Sequence, residues 1–174
     1  MSVGTVISQP ISDLTIIKGD PVTIGDNDNP VPVLVVEFWA TWCPPYRASI
    51  PHLTEIQQKF KNATILGVTY EKDVDKIKTF VQGMGDQMDY TVAVDTNETA
   101  KSGWFKEVNL FYILIKSSTN LLKKMKAIFQ PSGARGIPTA FILVKNKIVW
   151  QGHPMAEEFE AELQKAVSQG ELNG

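Results

Sequence analysis

The sequence predicts one α/β domain over residues 1–174: a central mixed β-sheet with helices on both faces. Three observations carry this expectation. Val31–Ala40 and Ala63–Tyr70 are β-branched, almost wholly apolar runs of strand length, the pattern of strands covered on both sides. Each is followed by a segment whose apolar residues recur at helical spacing, and a helix between consecutive strands forces those strands parallel. The C-terminal part then supplies a hairpin signal and a closing helix, so antiparallel pairing joins the parallel core.

In chain order, residues 1–30 read as an N-terminal extension. Leu14–Lys18 and Val22–Ile24 are short apolar pieces separated by Gly-Asp-Pro, which predicts an irregular β-hairpin decorating the domain. After the Val31–Ala40 strand, Ile50, Leu53, Ile56 and Phe60 mark a helix from Cys43 to Phe60. Asp73 stands at the N-cap of a second helix reaching Gly83, and Tyr90–Asp95 is a third strand. Thr139–Val144 and Ile148–Trp150 flank the turn Lys145-Asn146-Lys147. Phe159, Leu163 and Val167 define the closing helix over Ala156–Ser168.

Composition excludes several classes. With 17 Lys and Arg against 19 Asp and Glu, the net charge of −2 is too balanced for a chain that holds nucleic acid by neutralising phosphates. No apolar run reaches the roughly 18 residues of a membrane span. No basic residue precedes Lys18, so no signal or transit peptide is expected and the cytoplasm is the default compartment. Cys43 is the sole cysteine, which rules out an internal disulfide and a multi-thiolate zinc site. No metal or resident cofactor is expected.

The chemistry is concentrated in Trp39-Ala40-Thr41-Trp42-Cys43-Pro44-Pro45-Tyr46-Arg47. A lone cysteine is by default a small buried hydrophobe. Here it lies between the end of a core strand and the start of a helix, where the positive end of the helix dipole favours a thiolate and lowers the thiol pKa. That setting argues for an accessible nucleophile, with Arg47 adding positive charge one turn on. Prolines suit positions 44 and 45, since first-turn N–H groups have no intrahelical acceptor to lose.

These residues resemble the thioredoxin superfamily. The resemblance rests on Val-Val-Glu-Phe-Trp-Ala-Thr-Trp-Cys-Pro-Pro, on Pro51 eight residues after the cysteine, and on Gly136-Ile137-Pro138-Thr139-Ala140-Phe141, which looks like that family's cis-proline loop. Ile148-Val-Trp-Gln-Gly-His-Pro-Met155, with the N-terminal segment, is most similar to the redoxin-type thiol–disulfide oxidoreductases. The match covers roughly residues 12–107 and 131–170. It implies a thioredoxin fold with an insertion before the cis-proline loop. It also implies Cys43 as nucleophile, and a substrate surface formed by Trp42, Pro44, Pro45, Tyr46, Arg47, Ile137 and Pro138. Glu37, six residues before the cysteine, is implied as a proton acceptor acting through water; its other reading is a strand residue that reaches solvent.

One departure limits the mechanism. The family motif Cys-x-x-Cys resolves its mixed disulfide with the second thiol, and that position here is Tyr46. The attacking half survives: Cys43 is expected to form mixed disulfides with protein thiols or glutathione, released by an external thiol. The alternatives are a redox-inactive peptide-binding module and a thiol-dependent peroxidase. Peroxide-reducing relatives carry Pro and Thr or Ser seven and three residues before the cysteine, where this chain has Val36 and Ala40. His52 and His153 read as structural, and Trp39, Phe38 and Trp150 as core or rim aromatics.

Val108–Gln130 stands apart, with four lysines and no acid. Three readings compete: an extra helix over the sheet edge or site mouth, a basic amphipathic helix touching a partner or membrane, or sequence the fold does not need. Joining Glu107 to Pro131 restores an ordinary helix-to-cis-proline connection, as a short in-frame intron read through as coding sequence would allow. Peptide mass spectrometry of the natural protein tests this: the intron reading expects a peptide joining Glu107 to Pro131, and abundant peptides from within 108–130 refute it.

Overall fold

The computed structural model describes residues 3–11, 13–97 and 138–172. The expected insertion at 108–130, Ile137, and the peptide bond between Ile137 and Pro138 lie outside the described residues. The elements are β1 (Thr15–Lys18), β2 (Val33–Trp39), α1 (Pro44–Lys59), β3 (Thr64–Thr69), α2 (Val74–Met84), a 3-10 turn (Gly85–Met88), β4 (Thr91–Val94), β5 (Thr139–Val144), β6 (Lys147–Gly152) and α3 (Phe159–Leu172). One six-stranded sheet has the order β1-β4-β3-β2-β5-β6.

Its pattern follows from the connections. α1 and α2 each carry the chain back across the sheet, and the strands they join, β2 with β3 and β3 with β4, pair parallel. β5 and β6 are joined by a tight turn in which Lys145 and Asn146 both have positive φ, at 44° and 67°, the geometry that matches the twist of an antiparallel hairpin. β5 returns antiparallel along β2, so every residue of β2 is buried. This is the thioredoxin fold. Among the described residues no helix is long and apolar enough to cross a membrane.

The N-terminal segment differs from expectation. Thr15–Lys18 does not pair with 22–24; it joins the main sheet as β1, antiparallel to β4, while Ile11 and Ile24 pair with each other. Burial is the reason. Ile7, Ile11 and Ile24 pack with Leu34, Val36, Phe38, Leu66, Val68 and Phe141 on one face of the sheet. The segment is therefore part of the core, not a decoration. The three described helices pack on the opposite face, where Ile50 and Leu53 of α1, Ile77 and Val81 of α2, and Phe159 and Leu163 of α3 meet Val33, Val35 and Trp39 of β2.

Candidate active site

The chain leaves β2 at Trp39, turns through Ala40–Cys43 and enters α1. The Cys43 amide donates to the Ala40 carbonyl at 3.1 Å, and the Tyr46 amide to the Cys43 carbonyl at 3.2 Å. Cys43 is the N-cap of α1, with extended φ of −92° and ψ of 104°, and its side chain makes no capping hydrogen bond. Pro44 and Pro45 occupy the first two helical positions. They have no N–H to offer the sulfur. α1 continues through Pro51 to Lys59, although Pro51 has no N–H for the carbonyl of Arg47.

The expectation of an accessible sulfur is not met. Cys43 is only 5% exposed and belongs to the apolar cluster that contains Trp39, Ala40, Tyr46 and Ala140. Its neighbour Trp42 is the exposed group of this turn, at 62%. Pro138 is buried and immediately precedes Thr139, whose register partner is Phe38. Pro138 thus lies at the end of the sheet where the Cys43 turn leaves β2.

Tyr46, expected on the substrate surface, is turned fully into the core. Its ring stacks on Trp39, with centroids 4.6 Å apart and an interplanar angle of 17°. Its hydroxyl lies 3.1 Å from that of Tyr90 and 3.9 Å from Sδ of Met88. The reason is helical phase: positions 46, 50 and 53 share one stripe, and Ile50 and Leu53 are fully buried. Extending the apolar stripe of α1 back one turn would have found it. Met88 and Tyr90 carried no such signal, because their place depends on long-range ties. Lys18 Nζ donates to the carbonyls of Gly85 and Met88, and Thr54 Oγ1 donates to the carbonyl of Gln87 and accepts from the Asp89 amide.

Glu37 faces the same interior. It is fully buried, and neither carboxyl oxygen has a hydrogen-bond partner among the described residues; Nε1 of Trp39 is likewise unpartnered there. Its register partners are Gly67 on β3 and Ala140 on β5, which supply no cation. A Cβ at Gly67 would lie 3.2 Å from the Tyr90 ring and 3.3 Å from Trp39 Nε1, so glycine lets these rings close over the strand. Desolvation pushes the Glu37 pKa well above the ordinary carboxylate range. Burial likewise raises Tyr46 and Tyr90, and the negative field of Glu37 adds to both shifts.

The other predicted residues have other neighbours. Arg47 is exposed, with its guanidinium carbon 5.9 Å from the centroid of the Phe80 ring. His52 lies 6.2 Å from Phe159, ring to ring, and His153 Nδ1 accepts the Met155 amide in the turn before α3. Among the described residues no group of three His, Cys, Asp or Glu side chains is placed to hold a metal ion. The sequence reading also missed Glu71, just past β3. Its carboxylate accepts from the Thr41 amide at 2.6 Å and from the Thr41 hydroxyl at 2.8 Å.

Comparison with known proteins agrees with this architecture. A family model described as AhpC/TSA family matches residues 7–151. The chain belongs to the AhpC/TSA family. Among curated proteins, this AhpC/TSA member is similar to "Thioredoxin Asp f 28" of Aspergillus fumigatus, 39% identical over 51 residues, which are 29% of this chain and 44% of that protein. It is 45% identical over 47 residues to "Thioredoxin H-type" of Ricinus communis, covering 27% of this chain and 36% of that one. The matches thus span less than half the length of these curated relatives. Among solved structures, the thioredoxin domain of a thiol-disulfide oxidoreductase from Bacteroides vulgatus aligns with a TM-score of 0.64 at 18% identity, covering 96% of this chain and 99% of that one. StoA from Bacillus subtilis aligns with a TM-score of 0.57 at 16% identity, covering 98% and 100%.

The Glu37 shift has a definite sign. A carboxyl whose folded pKa is raised contributes its full stability below the unfolded value, near 4.5, and loses it as pH rises through the folded pKa. Glu37→Gln, which mimics the protonated acid, is expected to match the wild type in urea midpoint near pH 4.5 and to exceed it increasingly towards pH 8. Parallel midpoint curves across that range would show that Glu37 is not desolvated.

Proposed function

We propose that this AhpC/TSA-family chain is a thiol–disulfide oxidoreductase that works through Cys43 alone. The observation that carries the reading is the placement of Cys43 as N-cap of α1 at the end of β2, with Tyr46, three residues on, turned into the core. One thiol is present, and the residue at the resolving position is a buried phenol.

In this reading the Cys43 thiolate attacks one sulfur of a substrate disulfide. That S–S bond breaks, a mixed disulfide forms on Cys43, and the other sulfur leaves as a thiolate. An external thiolate, from glutathione or a protein, then attacks the substrate-derived sulfur. It leaves with that sulfur in a new disulfide and returns Cys43 to its thiolate. A cytoplasmic setting would supply such thiols. Glu37 is the candidate for proton exchange: its burial favours the acid form, so it is better suited to give a proton to the departing thiolate than to take one. Trp42 and the Pro138 loop are the candidate walls for substrate, with extended peptide pairing along the backbone at Ile137. Pro44, Pro45 and Arg47 complete the proposed rim.

The near-complete burial of Cys43 favours a second reading, a redox-inactive module that binds peptides with the same surface. Intact-mass analysis after incubation with oxidised glutathione separates the two. The first reading expects a reductant-sensitive glutathione adduct on the native chain, lost in Cys43→Ser, with little insulin reduction by thioredoxin reductase through this protein. An adduct that forms only after denaturation, with partner binding retained in Cys43→Ser, would favour the module.

A further inference from the structure

We propose that Glu71 is the positioning residue of the nucleophile turn, holding Cys43 in its attacking geometry through Thr41; this rests on the reading of Cys43 as nucleophile. Trp39 and Thr69 are the last register partners of β2 and β3, so the chain segments leaving the two strands start side by side. Glu71 stands two residues past that pair and Thr41 two residues past its other member. Both carboxylate oxygens are used on one residue: Oε2 accepts the Thr41 N–H at 2.6 Å and Oε1 accepts the Thr41 O–H at 2.8 Å. Hydrogen bonds to an ionised acceptor are roughly twice as strong as neutral ones. A two-point grip on amide and hydroxyl fixes both the backbone and χ1 of Thr41.

The grip ties the turn to the end of β3, where Glu71 Oε2 also accepts from the Thr69 hydroxyl at 3.4 Å and the Glu71 amide donates back to it at 3.4 Å. What it closes is the Ala40–Cys43 turn, whose far end is pinned by the Cys43 amide on the Ala40 carbonyl. Thr41 is buried and the Glu71 side chain is only 13% exposed, which limits competition from water. Lys76, in the first turn of α2, approaches Glu71 Oε1 at 3.5 Å and offsets its charge.

The reaction that reads this role is attack of the Cys43 thiolate on oxidised glutathione, forming the Cys43–glutathione disulfide and releasing one glutathione thiolate. Adduct formation on the full chain is timed by intact mass for wild type, Glu71→Ala, Glu71→Gln, Thr41→Val and Thr41→Ser. Iodoacetamide labelling and thermal midpoints are measured alongside, with Leu163→Ala as a control that lowers stability far from the turn. A misplaced nucleophile loses rate steeply, so Glu71→Ala and Thr41→Val are expected to slow adduct formation about fivefold or more, with Thr41→Ser within about twofold of wild type and Glu71→Gln between. Iodoacetamide labelling, which makes little demand on geometry, is expected not to slow; a turn loosened only by lost stability, as in Leu163→Ala, would not slow the disulfide reaction selectively. If Glu71→Ala does not fold, the Thr41 pair carries the test. A Glu71→Ala rate equal to wild type, or Thr41→Ser as slow as Thr41→Val, overturns the positioning role alone. A wild-type chain that forms no adduct overturns the nucleophile reading and this role with it.

Discussion

A carboxyl group sealed in the middle of a fully buried strand is the constraint from which the site follows. β2 is covered on both faces, and Glu37 sits at its centre beside Gly67 and Ala140, without a hydrogen-bond partner among the described residues. A charge there is costly, and that cost pushes the pKa well above the ordinary carboxylate range. Beside Glu37, the Trp39 ring stacks on Tyr46, the Tyr46 and Tyr90 hydroxyls share a hydrogen bond, and Trp39 and Tyr90 close over Gly67.

Tyr46 links this interior to the Cys43 turn. The stripe of α1 that buries Ile50 and Leu53 also buries position 46, so whatever stands there is part of the core as well as part of the motif. A phenol fills that place by stacking on Trp39 and sharing a hydrogen bond with Tyr90. It brings shape and a hydroxyl, and it removes the second sulfur. Cys43 is left at the helix start, followed by two prolines that have no N–H, in a turn tied to the segment after β3 by Glu71. In the proposed reading, redox chemistry on such a frame depends on a partner's thiol for its second half.

Much of the fold was legible because it is local. Unbroken apolar runs gave β2, β3 and β5; helical spacing gave α1 and α3; Asp73 marks the start of α2, where it accepts the Lys76 amide. What was not legible depends on pairing between distant segments. Nothing in Leu14–Lys18 distinguishes a local hairpin from a strand that joins β4. The site was legible in part: Glu37 and Cys43 came from motif position, but the burial of Cys43 and the inward turn of Tyr46 needed the packing of α1 against the sheet. Glu71 left no trace in the pattern, since a single acid after a strand is common and only the β2–β3 register sets it against Thr41.

The central claim is that one sulfur attacks and nothing within the chain can release it. Its most direct test is the state of the protein in cells lysed under acid quench, resolved by non-reducing electrophoresis beside Cys43→Ser. The account predicts disulfide-linked species that accumulate on the wild-type chain without any further substitution, collapse on reduction and are missing from the variant. A wild-type chain that stays wholly reduced and unlinked, even after mild oxidant treatment, would contradict it.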